Sequence, residues 1–304
     1  MFKRLLVPLD GSRLAESVLP ATQSLAECFQ ATVVLFHAIE QDAPATVHGQ
    51  RHLLTEDEAR TYLGEVATRL AKPNVTVETD VHSVKEANVA RSIVEHITEL
   101  HTDLIVLAAH GSGGLRDMLV GNIAQQVLQG GTTPVLFVHP RMEGAPAFAC
   151  RKILVPLDST PSHEPALPVA VEIARACHAE LHLLTVVPTT GTLSAERAGA
   201  SLLLPATMTA VLDLAQRGAV EYLQATTARV LAHGLSATAS VVRGDTASAI
   251  LQAAESTEAD LIVLATHGRA SFDAFWSGSI TPKIFSRSNV PVALVRVTGE
   301  EAAR

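Results

Sequence analysis

The chain has 304 residues, 47% of them hydrophobic and 18% charged, with a formal net charge of −8. That is length enough for two globular domains, each burying its own core. An acidic balance without a Lys/Arg run argues against a dedicated nucleic-acid binder, which needs a clustered basic surface. Aromatic residues at only 4% in an Ala-, Val- and Leu-rich chain argue against a β-sandwich and for thin parallel sheets under helices.

The stretch Met1-Phe2-Lys3-Arg4-Leu5-Leu6-Val7-Pro8 runs directly into a strand pattern, without the apolar core and cleavage site of a signal peptide. No apolar run approaches the roughly 18 residues of a membrane span, so a cytoplasmic protein with no membrane partner is expected. Residues 3–10 (KRLLVPLD) return almost unchanged as residues 151–158 (RKILVPLD), an offset of 148 that marks a duplication. Domains are therefore expected at 1–140 and 151–298, joined by a linker at 141–150 in a stretch rich in Pro and Gly.

Each first strand ends in an aspartate, Asp10 or Asp158, followed by Gly11-Ser12 or Ser159-Thr160. A helix-period stretch comes next, with Leu14, Val18, Leu25 and Phe29 in one copy and Leu167, Val171, Ala174 and Cys177 in the other. Pro20 and Pro168 fall at equivalent places and predict a bend in each helix. Second strands are expected at 31–39 and 179–187. A polar connection, 40–52, follows in the first copy. The second has a longer one, 188–212, carrying Leu202-Leu203-Leu204-Pro205, and the offset between copies reaches 157 after it. Second helices (55–71; 211–233), third strands (77–84; 235–242) and third helices (90–100; 247–255) then lead to fourth strands, Asp103–Leu107 and Ala259–Leu264. A fourth helix and a fifth strand (135–138; 292–297) close each copy. This alternation calls for right-handed crossovers and a parallel sheet.

The fourth strands end in matched loops. One reads Ala108-Ala109-His110-Gly111, nine residues, Gly121-Asn122; the other reads Ala265-Thr266-His267-Gly268, nine residues, Gly278-Ser279. Glycine after a strand lets the backbone approach a ligand, and Gly-Ser opening a helix offers free N–H groups, a hydroxyl and the positive dipole end. That is phosphate-site equipment. Each loop alone reads more readily as turn chemistry and helix capping than as a site; duplication opposite an aligned aspartate reverses that balance toward a ligand site. With strands one and four adjacent where the strand order reverses, Asp10 faces Gly111 and Asp158 faces Gly268 across one crevice.

Other candidates weigh less. Asp10 and Asp158 also fit helix capping, a role compatible with binding. His110 and His267 read as local packing groups. His48 and His52, four apart like zinc ligands on a helix, lack a third candidate, and no metal site is expected. Trp276 fits stacking on a base and packing against the insertion equally. Cys28, Cys150 and Cys177 show no C-x-x-C spacing and read as reduced thiols.

The VPLD strand with its terminal Asp, the DLIVLA strand, the H-G, nine residues, G-S/N loop and the closing P-V-x-x-V strand together resemble the universal stress protein family, in particular its tandem members. The resemblance covers the chain apart from the linker, residues 188–212 and the last few residues. It implies two tandem Rossmann-like (adenine nucleotide alpha hydrolase-like) α/β domains, each a five-stranded parallel sheet of order 3-2-1-4-5 with helices on both faces. It also implies an adenine-nucleotide site holding ATP, with or without magnesium. Carried over by position, Asp158 meets the adenine with backbone near Val186, and Leu264 and Ala265 line the ribose. Gly268, Gly278, Ser279 and the Ile280 N–H cradle the phosphates. The matching positions in the first copy are Asp10, Ala38, Leu107, Ala108, Gly111, Gly121, Asn122 and Ile123.

Both copies depart from the strict motif, with Ala108 and Ala265 where it has its first glycine. The first copy also has Asn122 in place of Ser/Thr, and Ser112 where the second has Arg269, a charge partner for phosphate. The second copy is therefore the better expected site. The family pairs domains through their closing strands, which implies an internal pseudo-dimer and leaves a homodimer open. No G-x-x-x-x-G-K-[ST] occurs, and no G-x-G-x-x-G follows a strand. Where related ATP-splitting ligases carry Ser-Gly-Gly after strand one, these copies read Asp10-Gly11-Ser12 and Asp158-Ser159-Thr160. The expected function is an ATP-binding stress-response module, regulated by nucleotide in its binding or signalling, with no catalytic residue and at most slow ATP hydrolysis. The alternative is a degenerate, nucleotide-free interaction scaffold.

Overall fold

Leu5, Leu6 and Val7 have no solvent exposure, as a strand covered on both faces of a parallel sheet requires. In the computed structural model, residues 2–40, 46–47, 49–84, 89–109, 126–128, 130–139, 148–159, 164–193, 203–267 and 280–297 are described. The chain divides into two compact units, Met1–Cys150 with Pro291–Arg296, and Arg151–Val290 with the residues from Val297 on.

The first unit runs β1 (Arg4–Pro8), α1 (Arg13–Glu16), α2 (Leu19–Phe29), β2 (Thr32–Glu40), β3 (Thr46–Val47), β4 (Gln50–Arg51), α3 (Glu56–Leu70), β5 (Thr76–Val84), α4 (Val89–Glu99), β6 (Leu104–Ala108) and β7 (Val135–Val138). Central β1 pairs in parallel with β2, from Arg4↔Thr32 to Pro8↔Phe36, and with β6 at Leu5↔Leu104. β5 lies outside β2 and β7 outside β6. The order β5-β2-β1-β6-β7 is the expected 3-2-1-4-5. The crossover helices turn Leu25, Ala26 and Phe29, Leu63, Val66 and Leu70, and Ile93 and Ile97 into the core.

The second unit repeats the plan with β8 (Lys152–Pro156), α5 (Ala166–Cys177), β9 (Glu180–Val187), α6 (Pro205–Ala232), β10 (Ala237–Arg243), α7 (Thr246–Ser256), β11 (Leu261–His267) and α8 (Ile280–Phe285). β8 lies between β9 and β11, with β10 outside β9. The closing strand, β12 (Val292–Val297), groups with the first unit, where Val292, Ala293 and Leu294 pair antiparallel with Phe137, Leu136 and Val135. β12 has the expected limits, 292–297, and the order β10-β9-β8-β11-β12 is again the expected 3-2-1-4-5.

The aspartates that open the two DLIVL runs lock strand four to strand one. Asp103 Oδ2 accepts from Lys3 N at 2.6 Å and Arg4 N at 3.0 Å, and Asp260 Oδ2 from Arg151 N at 2.8 Å and Lys152 N at 3.0 Å. The expected bend at Pro20 is instead a break: α1 ends at Glu16, and α2 restarts with Pro20 in its first turn, where its missing N–H loses no helical bond. Pro168 likewise falls in the first turn of α5. Residues 188–212 are not loop throughout, because Thr190–Thr192 form a 3-10 turn and helix begins at Pro205. As a result α6 has 28 residues against 15 in α3. Cys28, Cys150 and Cys177 form no disulfide bond among the described residues. No helix among the described residues is long and apolar enough to cross a membrane.

Candidate functional site

In the second unit, β8 stops pairing at Pro156↔Leu184, and Leu157 N donates to Leu184 O at 2.8 Å as the chain departs. β9 continues as a ledge, Thr185–Val187, paired on its other side with Val241, Val242 and Arg243. Asp158 marks the exit from β8, and Ser159 takes a left-handed φ of 64° that turns the chain away. Between this exit and the ledge lies a cleft of about 480 Å³, within the usual range for a small-molecule site. Asp158, Ser159, Thr185, Val186, Val187 and Pro188 form one side, and α6 supplies Ala215, Gly218, Ala219 and Tyr222.

The α6 side is braced at two points. Arg243, at the end of β10, reaches Asp213 Oδ1 at 2.6 Å and Gln216 Oε1 at 2.5 Å. Tyr222 donates its hydroxyl to Glu164 Oε1 at 2.9 Å, and Arg229 Nη2 lies 3.4 Å from the same oxygen. Burial, reinforced by the Glu164 hydrogen bond, pushes the Tyr222 phenol pKa up, which keeps it a donor at neutral pH. Thr185 is only 4% exposed, and its Oγ1 has no hydrogen-bond partner among the described residues.

Of the predicted residues, Asp158 and Val186 meet in this cleft. Leu264, buried, and Ala265, half-buried, lie on β11, the strand beside β8 on the side away from the ledge. β11 runs on through His267, three residues past its expected end. Ile280 opens α8 as expected. Gly268, Arg269, Trp276, Gly278 and Ser279 lie outside the described residues.

The first unit builds the same corner and fills it. Asp10 Oδ1 accepts from Ser12 N at 2.9 Å, and Ser12, not Asp10, caps α1 by accepting from Ala15 N at 3.1 Å. Gly11 takes the left-handed turn, with φ 85°, that Ser159 takes in the second copy. Leu53 crosses above it, its Cγ 3.0 Å from where a Cβ on Gly11 would stand. Gln50 Oε1 accepts from Arg13 N at 2.6 Å. The segment expected to be a simple polar connection thus forms the short β3–β4 hairpin and then lies over the crevice. At the place of Thr185 stands His37, buried, whose Nδ1–H donates to Leu9 O at 2.6 Å. Burial holds its pKa below the ordinary imidazole value, against the Leu9 hydrogen bond. His52, also buried, packs edge-on against it at 6.2 Å. Ala38 and Leu107 are buried and Ala108 half-buried. His48, His110, Gly111, Ser112, Gly121, Asn122 and Ile123 lie outside the described residues.

Sequence reading missed a duplicated clamp. Arg69 Nη2 lies 2.8 Å from Glu16 Oε2, beside Tyr62, whose phenol pKa is raised by burial and then by Glu16. Glu164, Tyr222 and Arg229 are the counterparts. The signal was present as the repeated Tyr-Leu followed by Arg in Tyr62-Leu63…Arg69 and Tyr222-Leu223…Arg229.

The family model of the universal stress protein family matches the chain twice, at residues 1–139 and 149–296. Universal stress protein YxiE of Bacillus subtilis is 29% identical over 151 residues, 46% of this chain and 100% of that protein. Universal stress protein Mb2028c of Mycobacterium bovis is 26% identical over 246 residues, 79% of this chain and 78% of that protein. A solved universal stress protein from Archaeoglobus fulgidus shares the fold with a TM-score of 0.67 at 16% identity, over 98% of this chain and 97% of that one.

Proposed function

The chain belongs to the universal stress protein family as a tandem member, and from that premise we propose that it is an adenine-nucleotide-binding module whose main site is the second copy. The observation that carries this reading is the cleft that sets Asp158 and Val186 together at the carboxyl ends of β8 and β9, where open α/β sheets take their ligands. Asp158 and the Val186 backbone hold the base, and Leu264 and Ala265 flank the ribose. Gly268, Arg269, Gly278, Ser279 and the Ile280 N–H receive the phosphates of ATP, carried with or without magnesium. Occupancy biases the partners the protein binds in a stress response. The reading assigns no catalytic residue and at most slow ATP hydrolysis, in a cytoplasmic setting. Pairing of the two copies through their closing strands belongs to the same proposal, supported by the seat of β12 against β7 in the first unit.

In the first copy, Leu53, His37 and His52 occupy the crevice, which supports the scaffold reading for that copy alone. Freshly purified protein, denatured and analysed for released nucleotide, tests the whole. Adenine nucleotide in the extract and ATP binding by calorimetry at tens of micromolar are expected; absence of both overturns the proposal. Gly278→Asp should remove most of the binding and Gly121→Asp less. Equal losses would overturn the ranking of the copies.

A further inference from the structure

Gly218 lies in the interior of α6, where glycine is a poor helix former, yet neither backbone nor packing asks for it. Its φ is not left-handed, and a Cβ built there meets no atom within 4 Å. The missing side chain is cleft space: Ala215, Gly218, Ala219 and Tyr222 fall at helical spacings of three, four and seven on the face that lines the cleft. The repeat alignment that sets Tyr222 on Tyr62 and Leu223 on Leu63 sets Gly218 on Glu58. That glutamate accepts from Leu54 N at 3.2 Å and pairs with Arg51, so it anchors the segment crossing the first crevice. The longer α6 has no such crossing segment among its described residues. Its extra turns are pinned by Arg243 through Asp213 and Gln216, so the wall stands in place before any ligand arrives.

A second observation points into the same space. Thr185 lines the cleft, is almost wholly buried, and its hydroxyl has no partner among the described residues. A buried hydroxyl without a partner is costly, and a ligand group on the cleft side satisfies it. A flat heteroaromatic base answers both features: its faces suit a wall of Ala215, Gly218 and Val186, and its edge carries the donors and acceptors a hydroxyl can meet.

We propose that Gly218 is the specificity-determining residue of the second-copy cleft, the place where an absent side chain admits the base, with Thr185 Oγ1 as the hydroxyl that reads the base edge. This deepens, and rests on, the adenine-nucleotide reading. The insertion acquires a role from it, because the lengthened helix replaces the crossing segment that fills the first crevice.

The test uses the full chain with ATP as the probe. Gly218→Leu should lower ATP affinity at least tenfold with no fall in melting temperature, since the side chain enters open space and improves the helix. Gly218→Ala should keep most of the binding, and Thr185→Val should weaken it several-fold. Ala215→Leu, on the same wall, should reproduce the Gly218→Leu loss and decides the matter if that variant melts early. Wild-type affinity in both leucine variants overturns the inference while leaving the nucleotide reading intact. A wild-type chain that binds no adenine nucleotide overturns the nucleotide reading, and this inference with it.

Discussion

His37 and Thr185 occupy one position in two copies and give it opposite characters. Thr185 leaves a small hydroxyl at an open cleft, whereas His37 plugs the first crevice with an imidazole whose charged form burial disfavours. Desolvation is the largest influence on His37 and lowers its pKa from 6.5; carbonyl hydrogen bonds and Asp10 act against it, and His52 adds to it. With the folded value below the unfolded one, the unfolded chain binds more protons between the two. Stability is then complete above the unfolded value and declines as pH falls below about 6.5 toward the folded value. His182, lowered by burial in the second unit, acts in the same sense, so the informative quantity is the difference between wild type and a variant. Urea denaturation in buffers from neutral to mildly acidic should show a shallower pH profile for His37→Gln than for wild type. Parallel profiles would show that His37 titrates alike in the folded and unfolded chains.

At the scale of elements, the sheet was legible because β1 and β6, like β8 and β11, are buried on both faces and so read as unbroken apolar runs, and the repeat gave each assignment twice. The breaks were less legible. Pro20 marks an interruption in either reading, and only the cap made by Ser12 and the fresh start at Leu19 separate a break from a bend. The start of α6 at Pro205 was hidden by Leu202-Leu203-Leu204, since Leu203 and Leu204 remain exposed, at 82% and 61%, and break the rule that apolar residues face the core. In the site, Asp158 and Val186 were found through the motif, but Gly218 and Thr185 were not, because no local pattern tells a glycine that makes room from one that merely weakens a helix. Asp103 and Asp260 were read only as members of the fourth-strand runs, yet each carboxylate gathers two backbone N–H groups from strand one. Asp260→Ala should cost the second unit about 1.5–3 kcal/mol, the usual range for hydrogen bonds to a charged group, and Asp103→Ala the first unit a similar amount. Chemical denaturation followed by probes in each unit measures both losses, and an unchanged midpoint would show that solvent replaces the carboxylate without loss.

At the scale of the whole chain, the two copies are equal in plan, each ordered 3-2-1-4-5, and the last strand of the second has a further use. β12, the closing strand of the second copy, also lies antiparallel on β7 in the first unit, and Arg296 Nη1 donates to Gly131 O at 3.2 Å. Val135, Leu136, Phe137 and Val138 are all at most 3% exposed. A strand this apolar is an aggregation template when its edge is left open. Ending the chain after Val290 should therefore lower the melting temperature of the first unit and cause concentration-dependent association, visible by size-exclusion chromatography. The second-copy cleft, lined wholly by residues between Asp158 and Tyr222, survives that truncation in sequence, so ATP affinity measured on whatever monomer remains should change far less than stability does. A truncated chain that melts like wild type and stays monomeric would mean that the β12–β7 ladder contributes little to the first unit. Loss of ATP binding in step with stability would mean that the second cleft depends on the first unit's edge, and the two copies would then have to be treated as one cooperative body.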